Sequence, residues 1–324
     1  MRGLAKVVVG LFVLFAQVGA FVVTAAPASA DTSGAPRYKH IFTIVEENRS
    51  FNQIIGNPNA PTTNQLANSY GSATAFFGTS HPSEPNYVAM VGGSDFGIKD
   101  DGPFTTNRVD QPSLASQLEG ARLSWKAYSQ SLPSPGFTGT CFPCNSTDPS
   151  TLYASKHNGF LNFAGVQDNP AEMQKHVPIE QLNADLAKGA APSYGLIVPD
   201  QCHDMHGTND CPDSTANVKT ADTYLSQLVN TITSSPTWKD GQDAIVVTWD
   251  EGTDNAGCCD ANPGGGQIVT VVITNHGPRA VKYSVPSNHY SMLLTYQQAF
   301  GLGCLQHSCD AENVKPLTAL FATE

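Results

Sequence analysis

Ser83 lies in His81-Pro82-Ser83-Glu84-Pro85-Asn86-Tyr87-Val88-Ala89-Met90-Val91-Gly92-Gly93, where a hydroxyl meets the start of a helix. Pro85 suits a first helical turn, because its missing N–H is not needed there. Val88, Met90 and Val91 follow as apolar residues, and Gly92-Gly93 ends the run. Free N–H groups and the helix dipole attract anions at such a start. A hydroxyl held there becomes an alkoxide nucleophile if a metal or a base takes its proton. A plain helix cap would also use a serine, and this stretch alone does not separate the two roles.

Acids collect elsewhere in a way that favours chemistry. Three apolar runs end in them: Val45 runs into Glu46-Glu47-Asn48, Val198 into Pro199-Asp200, and Trp249 into Asp250-Glu251. His203-Asp204-Met205-His206 follows Asp200, and His289 opens the last long helix. In open α/β sheets ligands sit at the carboxyl ends of the strands, so these acids should converge on one edge. Clustered carboxylates repel one another unless a cation neutralises them. Oxygen donors suit hard divalent ions, and added histidine suits zinc, iron or manganese. Any one of these acids could simply cap a helix; together with the histidines and Ser83 they predict a metal centre.

The elements that must position these residues are strands alternating with helices. His40–Val45, Ala73–Phe77, Leu123–Tyr128, Ser193–Val198, Asp243–Trp249 and Gln267–Thr274 read as strands. Ala60–Ser69, Ser113–Ala121, Ile179–Lys188, Ala216–Thr233 and a segment from Asn288 or His289 to Phe300 read as helices. That alternation predicts one α/β domain with a mostly parallel sheet flanked by helices. Leu132–Ser150, rich in proline, is an excursion that covers something. The Gly252–Gly266 loop is either an active-site loop or a surface segment.

The first 30 residues read as a signal peptide, with Arg2 and Lys6, an apolar run over Val7–Val23 and Ala28-Ser29-Ala30. Residues 31–324 then form the catalytic domain of an exported protein, with no stable membrane insertion after cleavage. A net charge of −11 argues against nucleic-acid binding. The eight cysteines of such a chain should form disulfides. Short loops favour Cys202–Cys211 and Cys304–Cys309, with Cys141 and Cys144 as the obvious partners for Cys258 and Cys259. Cys258 and Cys259 are expected to bond elsewhere than to each other, because an adjacent bridge is strained.

Five motifs occur in one order: Val45-Glu46-Glu47-Asn48-Arg49-Ser50-Phe51, His81–Tyr87, Asp204-Met205-His206, Thr248-Trp249-Asp250-Glu251 and Asn288-His289-Tyr290-Ser291. In this the chain resembles the bacterial phosphoesterase family, which holds acid phosphatases and phospholipases C within the alkaline phosphatase superfamily. It is most similar to the short secreted actinobacterial acid phosphatases of the mycobacterial phosphoinositide-phosphatase type. The resemblance implies an alkaline-phosphatase-like fold and one or two divalent metal ions, with zinc, iron, manganese, calcium and magnesium all open. One metal would be held by Glu47, Asn48, Ser83, Asp250 and Glu251, with Ser83 as nucleophile. Asn86 would donate to a phosphate oxygen. Asp200, Asp204, His206 and His289 would form a second metal half-site, or supply acid–base and phosphate-binding groups.

Tyr153-Ala154-Ser155-Lys156-His157-Asn158 resembles a further family segment, which makes Lys156 and His157 the substrate-binding cations. The sulfatase signature is not met, since Asn145 and Glu84 stand where it needs arginine. The resemblance implies a phosphomonoesterase acting through phosphoserine on a small phosphate ester or a phospholipid head group, with phosphoinositides as a preference. A phospholipase C-type diesterase and a non-catalytic binding protein on the same scaffold are the rival readings. The oligomeric state is not legible.

Overall fold

The computed structural model describes residues 34–144, 151–277 and 279–322. The expected signal peptide and residues 145–150 of the excursion lie outside them. In chain order the elements are β1 (His40–Glu46), α1 (Phe51–Ile54), α2 (Pro61–Ser69), β2 (Gly71–Phe77), α3 (Ser83–Gly92), α4 (Leu114–Gly120), β3 (Trp125–Ser129), β4 (Cys141–Phe142) and β5 (Tyr153–Ala154). Then come α5 (Ala164–Gln167), α6 (Pro170–Met173), β6 (His176–Pro178), α7 (Glu180–Ala187), β7 (Tyr194–Val198), α8 (Thr215–Thr233) and β8 (Asp243–Trp249). The last are β9 (Gln267–Thr274), β10 (Lys282–Tyr283), β11 (Ser287–Asn288), α9 (His289–Phe300) and α10 (Thr318–Phe321).

Every residue of β1 and β8 is buried, as continuous apolar runs require of strands covered on both faces. The main sheet runs β10-β2-β9-β8-β1-β7-β3-β6, and β11 also pairs with β2. β1 is parallel to both β7 and β8. β9 is antiparallel to both β8 and β2. Two successive reversals return β2 to the direction of β8. The carboxyl ends of β1, β2, β7 and β8 therefore share one edge, where the sequence places Glu47, the Ser83 turn, Asp200 and Asp250.

Helices hold that edge by their caps and apolar stripes. α8 buries Val218, Ala221, Leu225, Leu228, Val229 and Ile232 at helical spacing. Its Asp222 reaches across to accept the N–H groups of Thr62 and Thr63 at 2.8 Å each, which caps α2. Asn288 caps α9 by accepting from the N–H groups of Tyr290 and Ser291, and so fixes where His289 starts. Gly301, at φ +68°, ends α9 in the left-handed conformation that glycine adopts without strain.

Four disulfides lie among the described residues: Cys141–Cys144, Cys202–Cys211, Cys258–Cys259 and Cys304–Cys309. The first and third correct the expectation that Cys258 and Cys259 bond to Cys141 and Cys144 rather than to each other. The other six cysteines pair within their own loops, which leaves these two only each other. Asn288 Nδ2 donates to the carbonyls of both Cys258 and Cys259, at 3.1 and 3.0 Å, and pins the turn they make. The Gly252–Gly266 loop packs onto the turn before Ser83. Gly265 N–H donates to Gly78 O at 2.9 Å, and Gly78 N–H donates to Gly266 O at 2.9 Å. A Cβ on Gly265 would stand 2.4 Å from Ser80 O, so only glycine permits this approach.

His176, on β6, is buried with its Nε2 3.0 Å from Ser129 Oγ and no partner on Nδ1. Burial pushes its pKa down to about 3. It stays neutral in the native protein, whereas the unfolded chain takes up that proton near pH 6.5. Below pH 6.5 the unfolded state binds more protons, so stability falls as pH drops, until His176 titrates in the folded state near pH 3. The slope from this one group is at most about 1.4 kcal/mol per pH unit. Denaturant titrations from pH 7 to 4.5 should show it, and His176→Asn should flatten the profile whatever its absolute stability.

Candidate active site

Glu47 follows β1 directly and is fully buried. The chain turns at Asn48, whose φ of +54° is a left-handed conformation that asparagine tolerates. That turn aims the Asn48 N–H at Asp250 Oδ1, 3.0 Å away at the end of β8. Asn48 Nδ2 donates to Glu47 Oε2 at 3.2 Å, and its amide oxygen accepts no hydrogen bond among the described residues. Ser83, first residue of α3 after the cap Pro82, donates its hydroxyl to the same Glu47 oxygen at 3.1 Å. Four of the expected residues therefore meet: Glu47, Asn48, Ser83 and Asp250.

This group is rich in negative charge and poor in compensation. Burial pushes Glu47 up to about 7, against the opposing pull of Lys156 and Tyr87. Burial, then Glu47 and Glu251, also raise Asp250 well above the carboxylate range. Asp250 Oδ2 is buried with no hydrogen-bond partner. Burial opposes the charge of Lys156, but Glu47, Asp101 and Asp250 together hold its pKa above the usual lysine value. Two buried carboxylates, a hydroxyl and an amide oxygen are a hard-donor set that suits a divalent cation. Among the described residues no three His, Cys, Asp or Glu side chains make a metal site by themselves. Ser83 and Asn48 add oxygen donors beside the two acids.

The other expected residues divide. Asp204 is fully buried, and its backbone carbonyl accepts from Glu47 N–H at 2.7 Å. Its Oδ1 accepts from His206 N–H at 2.8 Å, while Oδ2 has no partner. His157 lies between the two clusters, with Nε2 3.3 Å from Glu47 Oε1 and Nδ1 3.6 Å from Asp204 Oδ2. It is buried rather than presented to solvent, and burial holds it well below the usual histidine range. His206 Nδ1 donates to Gly207 O at 2.8 Å, which leaves its Nε2 as the free nitrogen. His289 donates through Nε2 to the carbonyl of Asp250 at 2.6 Å, and its buried Nδ1 is unpartnered. Burial pushes His289 down to about 4.

Three residues are committed elsewhere. Asp200 spends one oxygen on Ser131 Oγ at 2.7 Å and the other on Cys202 N–H and His203, so it secures its own loop. Glu251 pairs with His81 and raises that imidazole to about 9. Asn86, expected as a phosphate donor, spends its amide on the turn before α3. Its Oδ1 accepts from Thr79 N–H, Thr79 Oγ1 and Ser80 N–H at 2.8–3.0 Å, and Nδ2 donates to Ser80 O at 2.8 Å. Tyr87 is the residue that motif reading missed. Its hydroxyl donates to Glu47 Oε1 at 2.6 Å, and its ring stacks on His157. The signal was its spacing, one helical turn beyond Ser83 and so on the same face.

The sequence matches the Phosphoesterase family over residues 57–303, a span that includes Ser83, Lys156, Asp204, Asp250 and His289. It is 30% identical over 291 residues to a phosphatidylinositol-3-phosphatase of Mycobacterium tuberculosis, covering 89% of this chain and 85% of that protein. A probable acid phosphatase of Kluyveromyces lactis is 31% identical over 179 residues, 55% of this chain and 41% of that one. Among solved structures, a Vibrio parahaemolyticus protein of the alkaline phosphatase superfamily superposes with a TM-score of 0.53 at 12% identity, covering 83% of this chain and 68% of its own. A phosphonate monoester hydrolase of Agrobacterium radiobacter gives 0.51 at 11%, over 82% and 74%. The chain belongs to the Phosphoesterase family, hydrolases of phosphoric esters, on an alkaline-phosphatase-like fold.

Proposed function

We propose that this protein is an exported, metal-dependent phosphomonoesterase that works through a phosphoserine at Ser83. The observation that carries the reading is the Ser83 hydroxyl held on Glu47 Oε2 at 3.1 Å, at the first position of α3 and beside buried Asp250. Held by Glu47, Asn48, Ser83 and Asp250, a divalent cation would balance the buried carboxylates and make the serine hydroxyl more acidic. Glu47 accepts the hydroxyl's hydrogen and is the group placed to take its proton. Ser83 Oγ attacks phosphorus in line, the bond to the leaving oxygen breaks, and water later hydrolyses the phosphoserine.

The remaining residues orient and hold. Tyr87 fixes Glu47 through its hydroxyl, and Asn86 fixes the turn that presents Ser83. Lys156 supplies positive charge for the phosphate. Asp204, His157 and His206 form a second polar cluster for phosphate oxygens, a proton or a second metal ion. His289 anchors the backbone of Asp250. The monoesterase reading draws on the relatives' names, a phosphatidylinositol-3-phosphatase and acid phosphatases. Export draws on the leader at residues 1–30 and the disulfides.

Ser83→Ala should lower kcat/KM on p-nitrophenyl phosphate at least about a thousandfold while the circular-dichroism spectrum is kept. Unchanged turnover would sink the catalytic assignment. Chelator should abolish activity, and Asp250→Asn should lose bound metal and turnover together. Faster hydrolysis of bis-p-nitrophenyl phosphate than of the monoester would shift the reading to a diesterase with the same site. Asn86→Ala leaves Thr79 and Ser80 N–H groups unsatisfied, so it should cost about 2–3 kcal/mol in denaturant unfolding.

A further inference from the structure

Lys156 has one hydrogen bond among the described residues, and it goes to a carboxylate. Its Nζ stands 2.7 Å from Asp101 Oδ2. The other oxygen of the same carboxylate, Oδ1, accepts from the backbone N–H of Glu84 at 3.0 Å. Glu84 is the residue after Ser83, in the first turn of a ten-residue helix whose own cap, Pro82, supplies no side-chain hydrogen bond. One carboxylate thus bridges the lysine that acts on Glu47 and Asp250 and the N–H of Glu84 at the nucleophile's helix start. A lysine and a helix N–H are the partners a phosphate group would seek.

Few other bonds hold Asp101. It lies in the loop after α3 with its side chain 29% exposed, and these two are that side chain's hydrogen bonds among the described residues. The loop does not depend on it, because neighbouring Asp100 accepts from Gly102 N–H at 3.1 Å and Asn107 Nδ2 at 2.9 Å. The Glu84 carboxylate has donors of its own, accepting from Asn162 Nδ2 at 2.5 Å and Asn107 Nδ2 at 3.1 Å. Arg49 is engaged by Asp213 and the Met205 carbonyl.

We propose that Asp101 is a specificity-determining residue, a resident anion on Lys156 and the Glu84 N–H that an incoming phosphate must displace. The inference rests on the phosphatase reading above for where the phosphate goes. Asp101 then tunes affinity through charge. Coulomb's law makes the penalty about twice as large for a monoester dianion as for a diester monoanion. Removing the carboxylate's charge therefore helps both, and helps the dianion more.

The test separates binding from turnover. Inorganic phosphate is titrated calorimetrically into protein carrying Ser83→Ala, with and without Asp101→Asn. Asp101→Asn should tighten phosphate binding about tenfold, and adding Lys156→Gln should remove the gain. With Ser83 intact, Asp101→Asn should lower KM for p-nitrophenyl phosphate about tenfold and for bis-p-nitrophenyl phosphate about threefold, with kcat moving less than threefold. Asp101→Glu, which keeps the charge, should stay near wild type. An unchanged or weaker phosphate affinity in folded Asp101→Asn protein would overturn the proposal and make Asp101 a positioning residue for Lys156, or a bystander. Because phosphate binding is read without hydrolysis, loss of the phosphatase reading would not disguise either result.

Discussion

Everything at the carboxyl edge of the sheet depends on one electrostatic constraint. Glu47, Asp204 and Asp250 are all buried there, and Asp204 and Asp250 each feel the charge of Glu47. Like charges in a low-dielectric interior are costly unless each is hydrogen-bonded, protonated or paired with a cation. The fold meets part of that cost with donors. Tyr87 and Ser83 serve Glu47, the Asn48 N–H serves Asp250, and the His206 N–H serves Asp204. Lys156 adds positive charge to Glu47 and Asp250 but is itself shared with Asp101. One oxygen on Asp250 and one on Asp204 still have no partner. Among the described residues the chain's own donors leave that cost partly unmet.

The topology explains why those acids meet at all. β1, β7 and β8 are adjacent and parallel, so their ends coincide. The double reversal through β9 brings the end of β2, and with it the Ser83 turn, to the same edge. The glycine loop 252–266 and Asn86 then clamp that turn from outside and inside. The nucleophile candidate therefore stands on a helix start fixed at several points rather than on a free loop, and its aim at Glu47 is set by structure around it.

Much of this was legible in the chain. β8 and β9 match their apolar runs residue for residue, and β1 extends its run by one, because a strand buried on both faces leaves a continuous signature. The three-residue β6 and the two-residue β10 and β11 were not legible, because so short a segment carries no periodicity. The candidate residues were legible as types, acids at strand ends and a serine at a helix start, and the fold brings Glu47, Asn48, Ser83 and Asp250 together. Their partners were not. Asn86, Asp200 and Glu251 carry side chains that suit a site equally well, and only the tertiary surroundings decide that a turn, a loop or His81 claims them. The Cys258–Cys259 bridge escaped for the same reason, since its turn is held by Asn288 from a distant segment.

The central claim is that Ser83 carries the phosphoryl group during turnover. The direct measurement is an acid quench of the metal-loaded protein within milliseconds of mixing with a phosphate monoester, followed by peptide mass spectrometry. The account predicts a phosphorylated peptide spanning His81–Gly93, with the phosphate on Ser83, present at early times and absent from Ser83→Ala protein. Full turnover with no phosphorylated Ser83 at any quench time, or a phosphate carried on another residue, would contradict it.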